Sequence, residues 1–281
     1  MKDSLFIFFQ NSVPKHLITR FGGNLAESEN KQIKTRFINF FLKNFDIDMS
    51  EAKESDPGAY KSFNAFFTRA LKPGIRPIDE ARKSVACPAD GAISQLGRIS
   101  DGEVFQAKGQ SFDVTTLLGG DAEDSAPFQN GEFATIYLSP RDYHRVHMPI
   151  DGKLLKTIYC PGPLFSVNQT TAENVDSLFA RNERLVSIFE TAAGPMAYVM
   201  VGAMIVGGIE TVWQKDVFTD RSKPLVTDYS DSDITLNKGE ELGRFKVGST
   251  VILTFAEGAI KWRKQFVATA TTVMGEGIAD F

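Results

Sequence analysis

From Lys72 onward the chain is cut into short apolar runs, and this segmentation narrows its possible folds more than any other feature. "GAISQLGRI", "EVFQAKG", "GEFATIYL", "GKLLKTIYC", "LVSIFET", "MAYVMVGAMIVGG" and "STVILTF" are separated by stretches rich in Gly, Pro, Asp and Asn. Runs of this length, rich in β-branched and aromatic residues and closed by turn formers, predict strands. In "GRFKVGSTVILTF" Val251, Leu253 and Phe255 alternate with Ile252 and Thr254, as in a strand buried on at least one face. Gly248 and Ser249 stand at its entrance, where turn chemistry alone accounts for both residue types. "PADGAI" and "PIDGKL" both place Asp-Gly before a strand, an echo consistent with internal duplication. One helical stretch, "TTAENVDSLFARN", interrupts the series, with Thr170 or Thr171 as its cap.

The N-terminal quarter follows a different period. Leu5, Phe6 and Phe9 fall at helical spacing, and Leu17, Ile18 and Phe21 continue it to a stop at Gly22-Gly23. A second helix is predicted from about Glu29 to Phe45, with Ile33, Phe37, Phe40, Phe41 and Phe45 near one face. A third follows Ser62 and carries Phe63, Phe66 and Phe67. The predicted class is therefore α+β. Amphipathic helices over 1–71 precede a mainly antiparallel, sandwich- or barrel-like β domain over 72–281. Of the 23 Phe, 11 lie before residue 68, and residues 1–46 carry seven Lys/Arg against four acids. Such helices suit either a layer packed on the β domain or a membrane interface, with Phe6, Phe9 and Phe37 as insertion residues.

Charge and cysteine usage exclude other classes. A net charge of −4 argues against a nucleic-acid partner. Cys87 and Cys160 form no zinc spacing and predict a reducing compartment, with a single disulfide left open. The start "MKDSLFIFFQNSVPK" does not have the form of a secretory signal. "GPMAYVMVGAMIVGGI" is shorter than the roughly 20 residues of a spanning helix and carries four glycines, so it predicts buried strands and a turn.

Chemistry has few places to sit. His144 and His147 share "SPRDYHRVHMPIDG", flanked by Arg141, Asp142, Tyr143 and Arg145, which looks more like a polar site than a core. A metal would need ligands that the chain hardly supplies, and none is expected. Asp90 in "CPADGAIS" serves equally as a turn residue. Ser249 with a histidine and an aspartate could form a nucleophile, base and orienter. A serine hydrolase and a non-enzymatic lipid-binding sandwich are both compatible with these residues alone.

In family order, "FNAFFTRALKPGIRPID", "PADGAISQLG", "YLSPRDYHRVHMPIDG", "LFSVN", "LFARNERL", "VGAMIVGGIETVW" and "GRFKVGSTV" resemble the bacterial, pyruvoyl-forming phosphatidylserine decarboxylase proenzymes. The resemblance implies self-cleavage between Gly248 and Ser249, with Ser249 converted to a covalent pyruvoyl cofactor. It implies His147 as the maturation base, Asp90 as its orienter and His144 as the proton donor in decarboxylation. The implied reaction takes phosphatidylserine through a Schiff base to phosphatidylethanolamine and CO2. The implied partners are the phospholipid membrane surface on the cytoplasmic face of the cell membrane, the two cleavage fragments held together, and a second copy in a homodimer.

Overall fold

The computed structural model describes residues 22–203, 208–215, 223–246 and 249–281. Phe6, Phe9 and Gly248 lie outside the described residues, and Ser249 is described by its backbone. The architecture is α+β and mostly antiparallel β, in several open sheets with no closed barrel among the described residues.

The strands that build the site are β1 (Gly91–Arg98), β2 (Glu132–Leu138), β3 (Arg145–His147), β4 (Gly152–Cys160), β5 (Arg184–Thr191), β6 (Gly194–Val201), β7 (Ile209–Thr211), β8 (Leu225–Asp228), β9 (Glu241–Phe245), β10 (Ser249–Phe255) and β11 (Thr271–Thr272). The main sheet runs β8-β4-β5-β6-β10-β2-β1-β11, and Thr235–Leu236 adds a short strand to β4. A three-stranded sheet runs β7-β9-β3. Both Asp-Gly turns open strands of the main sheet, β1 and β4, on opposite sides of β10.

Alternation explains why β10 is central. Val251, Leu253 and Phe255 enter one hydrophobic core, while Ile252 enters a second core on the other face. In β6, Met196, Tyr198 and Met200 join the first core, and Ala197, Val199 and Val201 join the second. Both faces of the sheet are covered, so these strands read as nearly continuous apolar runs rather than half-polar ones.

The expected second helix forms over Lys31–Asn44 (α1), where the Asn30 side chain accepts from the N–H of Gln32 and Ile33. The third forms over Phe63–Phe67 (α2), with Ser62 Oγ accepting from Ala65 N–H at 3.1 Å. Their aromatic faces close a third core around Ile38, Phe63, Phe66 and Phe67. Phe37, expected at the membrane, packs inward, its ring centroid 5.7 Å from that of Phe63. The aromatic that faces out is Phe40, 58% exposed.

The stretch expected as one helix from Thr170 is two, Gln169–Asn174 and Leu178–Arg181. The cap is Asn168, whose Oδ1 accepts from Thr171 N–H at 3.0 Å, and Ser177 breaks the run with a left-handed φ of 49°. Cys87 and Cys160 are both buried free thiols. No helix among the described residues is long and apolar enough to cross a membrane.

Candidate active site

Two antiparallel ladders bring the "SPRDYH" link beside the entrance to β10. Ser249 pairs with Leu138, the last residue of β2. On the other side of the link Arg145 pairs with Arg244, and Phe245 N–H donates to His144 O at 3.0 Å. The link is therefore anchored at both ends, at Leu138 to Ser249 and at His144 and Arg145 to Phe245 and Arg244. The link is a tight turn held by Asp142, whose Oδ2 accepts from Ser139 N–H at 2.6 Å.

The turn fixes His144. Its Nδ1 bonds the carbonyl oxygen of Asp142 at 2.8 Å. A carbonyl only accepts, so Nδ1 carries the proton and Nε2 carries the lone pair. That Nε2 is buried and has no hydrogen-bond partner among the described residues. Phe67 of α2 covers the ring, with centroids 3.9 Å apart. Burial drives the imidazole pKa down to about 3, against the opposing pull of the Asp142 carbonyl. His144 thus rests as a neutral acceptor in a mostly apolar setting.

His147 is oriented differently from the expectation. Its Nδ1 donates to Gly239 O at 2.8 Å, and its Nε2 lies 3.1 Å from the Tyr143 hydroxyl. With the proton on Nδ1, Nε2 accepts from that hydroxyl. Burial also lowers the His147 pKa, so this ring too is neutral near neutral pH. Burial pushes the Tyr143 pKa up to about 12, which keeps the phenol a donor.

Asp90 does not supply the hydrogen bond to His147 that an orienter would. Its carboxylate accepts from Arg76 Nε at 3.0 Å on each oxygen, from Arg76 Nη2 at 2.7 Å and from Met274 N–H at 2.8 Å. The orienting acceptor is the Gly239 carbonyl. Asp90 stays close nonetheless, because His147 N–H donates to Pro88 O at 2.8 Å, two residues before it. Its negative charge favours protonation of His147 through space. The following Gly91 is required by close packing, since a Cβ there would lie 2.3 Å from Tyr137 O.

A cavity of about 210 Å³ opens beside this cluster, its lining including Glu51, Arg69, Arg76, Asp90, Asp142 and Tyr143. Three of these were not singled out from sequence: Arg69, Arg76 and Glu51. Arg76 lies in the quoted "KPGIRPID" and gave no further signal, because its partners are 14 and 25 residues away. No grouping of His, Cys, Asp and Glu that could hold a metal occurs among the described residues.

Comparison with known proteins decides the family. The sequence model described as phosphatidylserine decarboxylase matches residues 63–280, and a second, described as PSD, matches residues 5–46. The chain belongs to the phosphatidylserine decarboxylase family. It is 55% identical over 279 residues to the phosphatidylserine decarboxylase proenzyme of Ectopseudomonas mendocina, covering 98% of both chains. It is 54% identical over 282 residues to that of Pseudomonas fluorescens strain SBW25, covering 99% of both. It is likewise 54% identical to that of Marinobacter nauticus, covering 98% of this chain and 97% of the relative. Membership makes the chain an enzyme, a decarboxylase.

Proposed function

We propose that the chain is a self-processing, pyruvoyl-dependent enzyme that converts phosphatidylserine to phosphatidylethanolamine and CO2. The observation that carries this reading is the near full-length match to decarboxylase proenzymes, since it embraces both histidines and the Gly248-Ser249 pair. The neutral state of His144 and His147 supports it independently, because each offers a lone pair at Nε2.

On this reading maturation starts at Ser249. Its Oγ attacks the carbonyl carbon of Gly248, which has no Cβ to shield it, as His147 Nε2 takes the hydroxyl proton. The Gly248–Ser249 C–N bond breaks, and His147 returns the proton to the departing nitrogen. An ester now joins Gly248 to Ser249 Oγ. Loss of the Ser249 α-proton expels Gly248 as a carboxylate. Water then replaces the nitrogen as ammonia, leaving a pyruvoyl group at the head of fragment 249–281.

The residues present suit such a group. His144 Nε2 is a buried atom with no partner among the described residues, on a residue whose carbonyl is bonded to Phe245, three residues before Gly248 in sequence. The group supplies an electron sink for the pair left behind when CO2 departs. His144 holds the proton: its neutral Nε2 takes one from the substrate ammonium and later gives one to the α-carbon. The apolar cover of Phe67 excludes water from that ring.

The substrate is a bilayer lipid, so the enzyme works at a surface. The proposed contact is the N-terminal region, with Phe6 and Phe9 inserted on the cytoplasmic face and Phe40 as the exposed aromatic of α1. Homodimer formation and association of the two fragments belong to the same proposal. The test is CO2 release from carboxyl-labelled phosphatidylserine in mixed micelles, before and after treatment with hydroxylamine. Release abolished by hydroxylamine supports the reading; full activity after carbonyl trapping overturns it.

A further inference from the structure

Arg76 holds two carboxylates at once. Its Nε and Nη2 bond Asp90, at 3.0 and 2.7 Å, while Nη1 and Nη2 bond Glu51 at 3.1 and 2.7 Å. Glu51 belongs to the N-terminal region, where Lys72 N–H donates to Glu51 O and Ala52 bridges Leu71. Asp90 belongs to the turn that receives the His147 N–H through Pro88. One guanidinium therefore ties the N-terminal region to the turn beside the proposed maturation base.

The three side chains are 14%, 33% and 10% exposed in the order Arg76, Glu51, Asp90, so solvent screens the Arg76–Asp90 contact poorly. Without Arg76 the Asp90 carboxylate would keep the Met274 N–H at 2.8 Å but lose the cation that compensates its partly buried charge and the fork that holds its second oxygen. A planar guanidinium fixes the plane of a carboxylate as well as its distance, which a single ammonium cannot do. The fixed carboxylate also faces the cavity bounded by Tyr143, whose hydroxyl bonds His147 Nε2.

We infer that Arg76 is a positioning residue for self-cleavage: it aims the Asp90 carboxylate beside His147 and makes that aim depend on the seating of Glu51. Among the described residues the Arg76 side chain bonds Asp90, Glu51 and the Ile75 carbonyl and not His147, so it acts through Asp90. The inference rests on the reading that the chain cleaves itself at Gly248-Ser249 with His147 as base.

The experiment follows fragments 1–248 and 249–281 as they appear after cell-free synthesis of the full chain. Arg76→Ala should slow cleavage by about 10²-fold, the scale of a small misplacement of a catalytic group. Guanidinium chloride at low millimolar concentration should restore Arg76→Ala but neither Asp90→Ala nor His147→Ala. Arg76→Lys should recover only part of the rate, and Glu51→Gln should lose less than Arg76→Ala in the same direction. Urea unfolding of Ser249→Ala with and without Arg76→Ala keeps folding apart from positioning. Arg76→Ala cleaving at the wild-type rate overturns the inference alone. Slow cleavage that guanidinium does not rescue, with a lowered urea midpoint, assigns Arg76 to structure and also overturns it. An uncut wild-type chain overturns the self-cleavage reading and this inference with it.

Discussion

The Tyr143 hydroxyl donates to His147 Nε2 across 3.1 Å, on the same nitrogen that the proposed maturation step needs. Nδ1 is committed to Gly239 O, so Nε2 is the only lone pair the ring offers. The serine hydroxyl and the phenol must therefore exchange at one atom. Tyr143→Phe removes the competitor and leaves the Gly239 bond in place. Its cleavage rate should equal or exceed wild type, by up to about tenfold for a lost hydrogen bond of ordinary strength. Time courses of fragment formation check this; a blocked Tyr143→Phe would instead make the phenol a proton relay.

The two histidines should separate in function. His147→Ala should stop cleavage, since the remaining ring, His144, faces Phe67 and bonds Asp142 O. His144→Ala should cleave, yet release CO2 more slowly by about 10²–10⁴-fold, the usual worth of a positioned acid or base. Gel analysis beside CO2 release for each variant reads both steps. Normal decarboxylation by cleaved His144→Ala contradicts the assignment.

The sequence made the strands legible because the main sheet is covered on both faces, so β6 and β10 stand out as apolar runs between turn residues. The helices α1 and α2 were legible for a different reason, aromatic residues recurring at helical spacing, and Asn30 and Ser62 cap them. The split at Ser177 was not, because a left-handed serine has no pattern to read. At the site, the short-range parts were readable: His144 and His147 share one motif with the Tyr143 that bonds the second. The Gly239 carbonyl was not, since backbone acceptors 92 residues away leave no side-chain signature. The Arg76 clamp on Asp90 was hidden in the same way, and the familiar nucleophile–base–acid template suggested a direct Asp90–His147 bond that the fold replaces.

Phe37 and Phe40 should behave oppositely. Phe37 is half-buried against Phe63, so Phe37→Ser should lower stability by about 1–3 kcal/mol. Phe40 is exposed, so Phe40→Ser should leave stability within about 0.5 kcal/mol and weaken binding to anionic vesicles. Urea midpoints and vesicle sedimentation separate the two effects. A Phe40→Ser chain that binds vesicles like wild type removes α1 from the membrane contact.

Acid should expose the buried imidazoles. The His144 pKa falls from its ordinary 6.5 to about 3 on folding, and that of His147 falls too, both through burial. Between those limits the unfolded chain binds more protons than the folded one, so stability rises with pH. The contribution is complete above about 6.5 and is lost as pH falls toward 3. His144→Gln, compared in a Ser249→Ala background, should flatten the slope of urea midpoint against pH between 7 and 4. An unchanged slope contradicts a His144 that is buried neutral.

The most direct measurement of the central claim is the intact mass of the purified chain beside Ser249→Ala. Self-processing predicts two species for wild type: residues 1–248 ending in a free carboxylate, and residues 249–281 beginning with pyruvoyl in place of serine. It predicts a single uncut mass for Ser249→Ala. A wild-type chain that releases CO2 from phosphatidylserine while its mass remains that of intact 1–281 would contradict the account.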